Sequence, residues 1–322
     1  KENKLKIKNQ ENEFLFDLEK YRDYWFHTST LLDRMQTSNS LADARFENYK
    51  NQPLKFKFPK NFNGSLIKLT SGKKPKAAIL REKGSNSERE LANALHIAGF
   101  DIKDIHMTDL ISGKETLQDI KFLGAVGGFS NSDVLGSAKG WAGSFKYNDS
   151  AKNALENFFS RKDTLSIGIC NGCQLFMELD LIYPSHENHG KMTFNDSRKH
   201  ESNFTSVKIN TNNSIMLGSL EQLNLGVWIS HGEGKFKLPY PKENYNIVAE
   251  YGYPDYPSNP NGSDYNTAML SSDDGRHLVT MPHIERSIFK WNWAYYEDNR
   301  DDILSPWVLA FLNAKNWIIE NS

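Results

Sequence analysis

Cysteine is almost absent from this chain. Only Cys170 and Cys173 occur among 322 residues, and both stand in one short turn. That excludes the disulfide framework of a small secreted protein and points to a reducing, cytoplasmic setting. Long apolar runs are missing as well. No stretch approaches the roughly 18 residues of a membrane-spanning helix, so no membrane partner is expected. The opening Lys1-Glu2-Asn3-Lys4-Leu5-Lys6-Ile7-Lys8 has charge with no apolar segment behind it, which excludes a secretory signal. It also lacks an initiator methionine, so the chain is read as a fragment or a processed product. Neither sign of charge dominates: 39 Lys and Arg face 40 Asp and Glu, which leaves no electrostatic footprint for nucleic acid. There is no internal repeat, no Walker-type loop and no cluster of metal-ligating carboxylates, so no metal or cofactor is expected in this chain. What remains is a globular composition, 38% hydrophobic and 25% charged, long enough for one large core or two domains.

One stretch organises the rest. Leu165-Ser166-Ile167-Gly168-Ile169-Cys170-Asn171-Gly172-Cys173-Gln174 is an apolar strand running into a Gly-x-Cys-x-Gly turn, with a helix expected from Gln174 to Leu179. This is the layout of a nucleophile elbow, with cysteine in the place of serine. Glycines at 168 and 172 let backbone pass close to the turn, and the sulfur then sits above the strand ends near a helix N-terminus, which favours a thiolate.

Residues 1–70 differ in character from the remainder of the chain. Glu13 to Tyr24 reads as one amphipathic helix, Leu31 to Tyr49 as one or two short helices, Asn51 to Lys60 as an extended connector, and Asn61 to Lys76 as a linker. From residue 76 an α/β rhythm starts. Strands are expected at Lys76–Leu80, Ile102–Met107, Phe122–Val126 and Leu165–Ile169. Helices are expected at Ser87–Ala98, with a Ser87/Glu90 capping box and Gly99 as stop, and around Ala154–Phe159, capped by Asp149 or Ser150. Alternation of this kind argues for a mostly parallel central sheet flanked by helices, an α/β fold whose ligands bind beyond the strand ends. After 190 the pattern turns β-rich, with strands near 205–209, 226–230, 247–251, 266–270 and 277–281. Gly252–Gly262 reads as a surface loop over a cleft, and Pro306–Ile318 as the closing helix.

A thiol nucleophile needs a base. Met281-Pro282-His283-Ile284-Glu285 follows a strand that Pro282 ends, and residues two apart in extended backbone share a side, so Glu285 can orient the His283 ring. Cys170, His283 and Glu285 then form a nucleophile, base and orienter set. The backbone amides of Gly128, on a glycine turn at a neighbouring strand end, and of Asn171 are the candidate oxyanion donors. Gly127, Phe129, Gln174, His231 and Glu233 are candidates for substrate binding or its support, and His231 reads equally well as a structural histidine.

These residues carry a resemblance. Gly168-Ile169-Cys170-Asn171-Gly172 with Pro282-His283-Ile284-Glu285 resembles the class I, triad-type glutamine amidotransferases. Blocks at 81–88, 104–110, 127–137, 140–142, 230–234 and 259–263 resemble more narrowly the glutaminase region of the large single-chain formylglycinamide ribonucleotide amidotransferases, over about 76 to 295. Trp25 to Pro53 resembles the connector before that region. Asn131 stands where that family has an aromatic residue, Ser132 where it has glycine, and Ile284 where it has proline. The resemblance implies a flavodoxin-like domain over 71–322, with an extra β-rich portion, behind a connector and docking arm over 1–70. It implies hydrolysis of L-glutamine through a Cys170 thioester. The ammonia would pass to a separate synthetase region, where ATP and Mg²⁺ are expected and the amidine for purine synthesis is formed.

Other readings stand beside it. Cys170-x-x-Cys173 has the spacing of a redox pair, though that leaves His283, Glu285 and the glycine turn unexplained. His186, His189 and His200 read as exposed loop histidines, since no cysteine lies near them. A peptidase, a γ-glutamyl hydrolase or a non-catalytic docking module would fit the same elbow.

Overall fold

A computed structural model describes residues 3–51, 55–67, 72 and 74–321. The arm opens as a hairpin, Lys4–Lys8 (β1) against Glu13–Asp17 (β2), so the helix expected over Glu13 to Tyr24 is a strand up to Asp17 and helical only from Leu18. Both strands alternate with a period of two, and the register sets Leu5 opposite Phe16 and Ile7 opposite Phe14 on one face. Asp17 ends the strand and caps Leu18–Gln36 (α1), accepting from the amides of Glu19 and Lys20 at 3.1 Å. Asn39–Asn48 (α2) follows behind Ser38.

The 70/71 boundary expected between arm and domain lies outside the described residues, as do positions 52–54, 68–71 and 73 of the connector and linker. Their described parts lie along the main body. The Lys57 amide donates to Asn224 O at 2.9 Å, the Phe56 and Phe58 rings pack 5.0 and 6.0 Å from Trp293, and Gly64 O accepts from Ile303 and Leu304.

The main body alternates Lys76–Arg81 (β3), Glu88–Ala98 (α3), Asp101–His106 (β4), Met107–Ile111 (α4), Phe122–Ala125 (β5), Lys139–Lys146 (α5), Asp149–Ser160 (α6), Leu165–Ile169 (β6) and Asn171–Glu178 (α7). Then come Lys191–Thr193 (β7), Glu201–Ile209 (β8), Asn224–His231 (β9), Lys235–Lys237 (β10), Asn246–Tyr251 (β11), Thr267–Ser271 (β12), His277–Thr280 (β13) and Val308–Glu320 (α8). One sheet of nine strands runs β4-β3-β5-β6-β13-β12-β11-β8-β9. Its first five strands are parallel and form the α/β core; from β13 onward each neighbour is antiparallel. The β-rich portion is therefore the continuation of the same sheet. Strand β6 is buried along its whole length, as a central parallel strand covered on both faces must be.

Several local expectations give way to tertiary partners. Ser87 makes no cap bond to α3; its hydroxyl accepts from the Gly127 amide at 3.2 Å instead. Asn148, not Asp149 or Ser150, caps α6. Tyr256 and Ser258–Asn261, expected in a surface loop over a cleft, are buried. The Tyr256 hydroxyl donates to Glu201 at 2.9 Å, and Arg45 of α2 stacks 4.8 Å above its ring.

Candidate active site

Strand β6 delivers Cys170 between β5 and β13, and the Cys170 amide is pinned to Thr280 O at 2.8 Å. Cys170 itself sits at φ 51°, ψ −104°, off the ordinary regions, and α7 begins at the next residue. Holding a non-glycine residue there costs about 1–3 kcal/mol, a strain that surrounding packing must hold. Close approach holds it: a Cβ on Gly172 would fall 2.1 Å from Ala125 O, so backbone from β5 passes directly under the turn. The expected helix start at Gln174 moves forward to Asn171, which leaves the Asn171 amide without an intrahelical partner. The sulfur, only 5% exposed with its residue, opens into a cavity of about 170 Å³.

His283 arrives from β13, the parallel neighbour of β6, so both residues emerge at the same sheet edge. Its amide is tied to Trp228 O of β9 at 2.8 Å. Residues 284–287 form a tight turn rather than the extended backbone expected, yet the pair still meets: His283 Nδ1 lies 2.6 Å from Glu285 Oε1, with both residues at most 3% exposed. Gly127 packs against both the ring and Cys170. A Cβ there would lie 2.9 Å from His283 Cε1 and 3.5 Å from Cys170 Cβ, so the two side chains flank that one position.

Of the expected oxyanion donors, Asn171 follows the nucleophile at the start of α7 and Gly128 lines its cavity. Gly128 has φ 115°, and its amide, like that of Asn171, donates to no protein group among the described residues. The Asn171 side chain is buried, accepting from the Ser130 amide at 3.1 Å and donating to Gln174 Oε1 at 2.9 Å. Gln174 Nε2 in turn donates to Glu233 O at 2.8 Å. Gly128, Phe129, Gln174, His231 and Glu233 all line the cavity with Cys170. Gly127 packs against both Cys170 and His283 instead.

Burial opposes charge on His283, but the Glu285 carboxylate and the Cys170 sulfur more than offset it, and the ring is pushed up to about 10. His231 has no such partner. Burial, with His283 and His200 adding to it, pulls it down to about 3, and neither ring nitrogen has a hydrogen-bond partner among the described residues. Cys173 is enclosed on α7, and burial pushes its thiol well up, which argues against an exchanging redox pair. Among the described residues no three His, Cys, Asp or Glu side chains converge as a metal site.

The sequence reading missed one wall. Phe194, Arg198, Lys199 and His200 border the cavity, as do Asp133, Ser137 and Ser230. His200, expected as a free loop histidine, meets Ser230 Oγ at 3.0 Å, and His186 stacks on Tyr183 at 4.9 Å. No periodicity marks these residues, because they come together only when β8 folds beside β9.

The sequence profile of the CobB/CobQ-like glutamine amidotransferase domain matches residues 74–318. The chain belongs to that family. Curated relatives agree. A probable phosphoribosylformylglycinamidine synthase of Caenorhabditis elegans is 39% identical over 96% of this chain, and the Homo sapiens phosphoribosylformylglycinamidine synthase 38% identical over 94%. The chain spans only 26% and 25% of their lengths. The fold matches PurLQS from Thermotoga maritima, with a TM-score of 0.58 at 23% identity, covering 74% of this chain and 98% of that one. A putative GMP synthase component from Thermoplasma acidophilum shares it at TM-score 0.50 and 13% identity, over 77% of this chain and 96% of its own.

Proposed function

We propose that this glutamine amidotransferase domain is the glutaminase part of a phosphoribosylformylglycinamidine synthase. In this reading the Cys170 thiol gives its proton to His283 and attacks the γ-amide carbon of L-glutamine. The oxyanion is held by the amides of Gly128 and Asn171; losing one such donor typically costs about 3–4 kcal/mol. His283 then protonates the departing nitrogen, and ammonia leaves a γ-glutamyl thioester on Cys170. Water, deprotonated by His283, hydrolyses the thioester to glutamate. Glu285 holds the ring in one tautomer and stabilises its charged form. The observation that carries the reading is the strained Cys170 turn, open to a small cavity, with the His283–Glu285 pair packed against the same glycine as Cys170.

Residues 71–322 are then the glutaminase domain, and residues 1–70 a connector and docking arm. The arm is clamped to the cavity wall on one side: Asp33 of α1 pairs with Lys199, and Arg45 of α2 meets Glu201 at 2.7 Å. Its other side exposes Trp25, Met35 and Leu15, at 80, 84 and 56%. We assign that face to the synthetase region, which the quarter-length match to the relatives implies, and place ATP, Mg²⁺ and the ribonucleotide there. No described helix is long and apolar enough to cross a membrane, and the cytoplasm is the proposed compartment. The peptidase, γ-glutamyl hydrolase and docking-module alternatives find no support among the relatives.

The test is glutamate release from glutamine by the intact protein and by Cys170→Ala. Abolished release, with covalent labelling of Cys170 by a diazoketone analogue of glutamine in the parent, supports the reading. Undiminished release from Cys170→Ala overturns it.

A further inference from the structure

Arg286 follows the Glu285 carboxylate directly in the chain, yet it does not border the Cys170 cavity. It stands in a neighbouring cleft with Glu285, Trp228 and Phe289. Its side chain is half-buried, and its Nε has no hydrogen-bond partner among the described residues. That Nε sits 3.8 Å from Glu285 Oε1, the same oxygen that meets the His283 ring, and 3.5 Å from Glu90 Oε1 of α3. The far end of the guanidinium turns elsewhere: Nη2 donates to Asn86 Oδ1 at 2.6 Å, across 200 residues of sequence. A planar guanidinium carries its donors on a rigid fork, so one group fixes both directions at once. The pair with Glu90 adds little by itself, because that side chain is 43% exposed.

Asn86 belongs to the loop after β3, and that loop backs the glycine turn after β5. The Asn86 amide donates to Gly127 O at 2.8 Å, the Phe129 amide to Gly84 O at 3.0 Å, and the Asn131 amide to Lys83 O at 2.8 Å. Ser87 takes the Gly127 amide, and Ser85 bridges to Gly128. The approach is close: a Cβ on Gly128 would lie 2.5 Å from Asn86 N. These bonds fix the peptide units on both sides of Gly128, so a shift of the loop carries the Gly128 amide with it.

The sheet order adds the reason such a link is needed. His283 follows β13 and Gly128 follows β5, while β6, which carries the nucleophile, lies between them. No strand ladder joins β5 to β13 directly, so the spacing of base and donor is set beyond the strand ends.

We propose that Arg286 and Asn86 are positioning residues for amide hydrolysis at Cys170: their hydrogen bond joins the carboxylate that orients His283 to the turn that offers the Gly128 amide. The inference rests on the glutaminase reading and deepens it. Base and oxyanion donor then hold one spacing, and misplacement by about 1 Å costs on the order of 10²-fold in rate.

Glutamate release from L-glutamine by the intact protein, and alkylation of Cys170 by iodoacetamide, are measured for the parent, Arg286→Met, Asn86→Ala, the double variant and Asn86→Asp. Alkylation displaces iodide and forms no oxyanion, so it reads the thiol and its base alone. Asn86 is exposed, and its substitution leaves the core untouched. Arg286→Met and Asn86→Ala are each expected to lower kcat about 10- to 100-fold, with KM within about threefold. The double variant is expected to match the slower single one within about threefold, because both changes cut the same link. Asn86→Asp keeps an acceptor for Nη2 and should hold kcat within about threefold of the parent. Alkylation should stay within about threefold throughout. Parental kcat in either single variant, losses that multiply in the double variant, Asn86→Asp as slow as Asn86→Ala, or alkylation falling in step with kcat each overturn the assignment. A parent that releases no glutamate removes the glutaminase reading itself, and this assignment with it.

Discussion

Replacing Glu285 by glutamine keeps the shape of the buried pair and removes its charge. In the parent, burial alone would press the His283 proton off, and the neighbouring Glu285 and Cys170 reverse that, taking the ring to about 10. Without the carboxylate, burial is the largest influence left, and the ring falls to the neutral side of pH 7. One pKa unit is worth 1.36 kcal/mol, so the net rise from an ordinary histidine to about 10 amounts to ~5 kcal/mol, and Glu285 and Cys170 together supply more than that because burial opposes them. Both groups are almost wholly buried, so solvent screening takes little from this figure. Glu285→Gln is therefore expected to lower kcat/KM for glutamine by about 10²- to 10⁴-fold, with KM little changed. Stability shifts in a matching way. A folded pKa raised above the unfolded value contributes stability that is full below about 6.5 and lost as pH rises through about 10. The parent should lose this contribution on titration from pH 7 to pH 10, and Glu285→Gln should not. Thermal unfolding across that range, with glutamate release at each pH, measures both. A variant within threefold of parental kcat/KM, with the same alkaline decline in melting temperature, would refute the reasoning.

Gly172→Ala puts a Cβ 2.1 Å from Ala125 O, a backbone atom of a central strand that cannot yield, so a loss of at least 1–3 kcal/mol is expected in denaturant unfolding. At Gly127 the clash is with a side chain, 2.9 Å from His283 Cε1. Gly127→Ala should keep most of its stability yet slow diazoketone labelling of Cys170 by about 10-fold or more, because the base is pushed off the thiol. His231 has its folded pKa depressed to about 3, so the stability it confers is full above about 6.5 and is lost as pH falls toward 3. His231→Phe, which leaves no ring nitrogen to protonate, should resist acid better, with its acid unfolding midpoint lowered; an unchanged midpoint would remove this histidine from the acid response.

How much was legible depended on whether the signal was local. The Gly-x-Cys-x-Gly frame is a local pattern, and the turn was legible in it, although Gly168 answers to Gly172 of the same unit while Gly172 answers to Ala125 of β5, and the helix starts three residues earlier than expected. Glu285 beside His283 was legible because only one residue separates them, although a tight turn rather than an extended strand joins their side chains. The hairpin of β1 and β2 was missed because five-residue alternation is short, and aromatic spacing in Glu13–Tyr24 also fits a helix. Ser87 and Glu90 match a capping box, but the Gly127 amide claims the serine hydroxyl from 40 residues away. Phe194, Arg198, Lys199 and His200 carry no pattern at all, and their place at the cavity follows from the pairing of β8 with β9.

The sequence by itself determined the cysteine turn, the alternating strands and helices that carry it, and the candidate base with its neighbouring carboxylate. Each rests on forces acting over a few residues: steric freedom at glycine, apolar periodicity, and reach along one backbone. The tertiary structure decided that β13 lies parallel to β6, which brings His283 beside Cys170. It also decided that Phe194, Arg198, Lys199 and His200 border the same cavity as that sulfur. Those placements depend on strand order and on burial of faces far apart in the chain, and no local property of the residues encodes them.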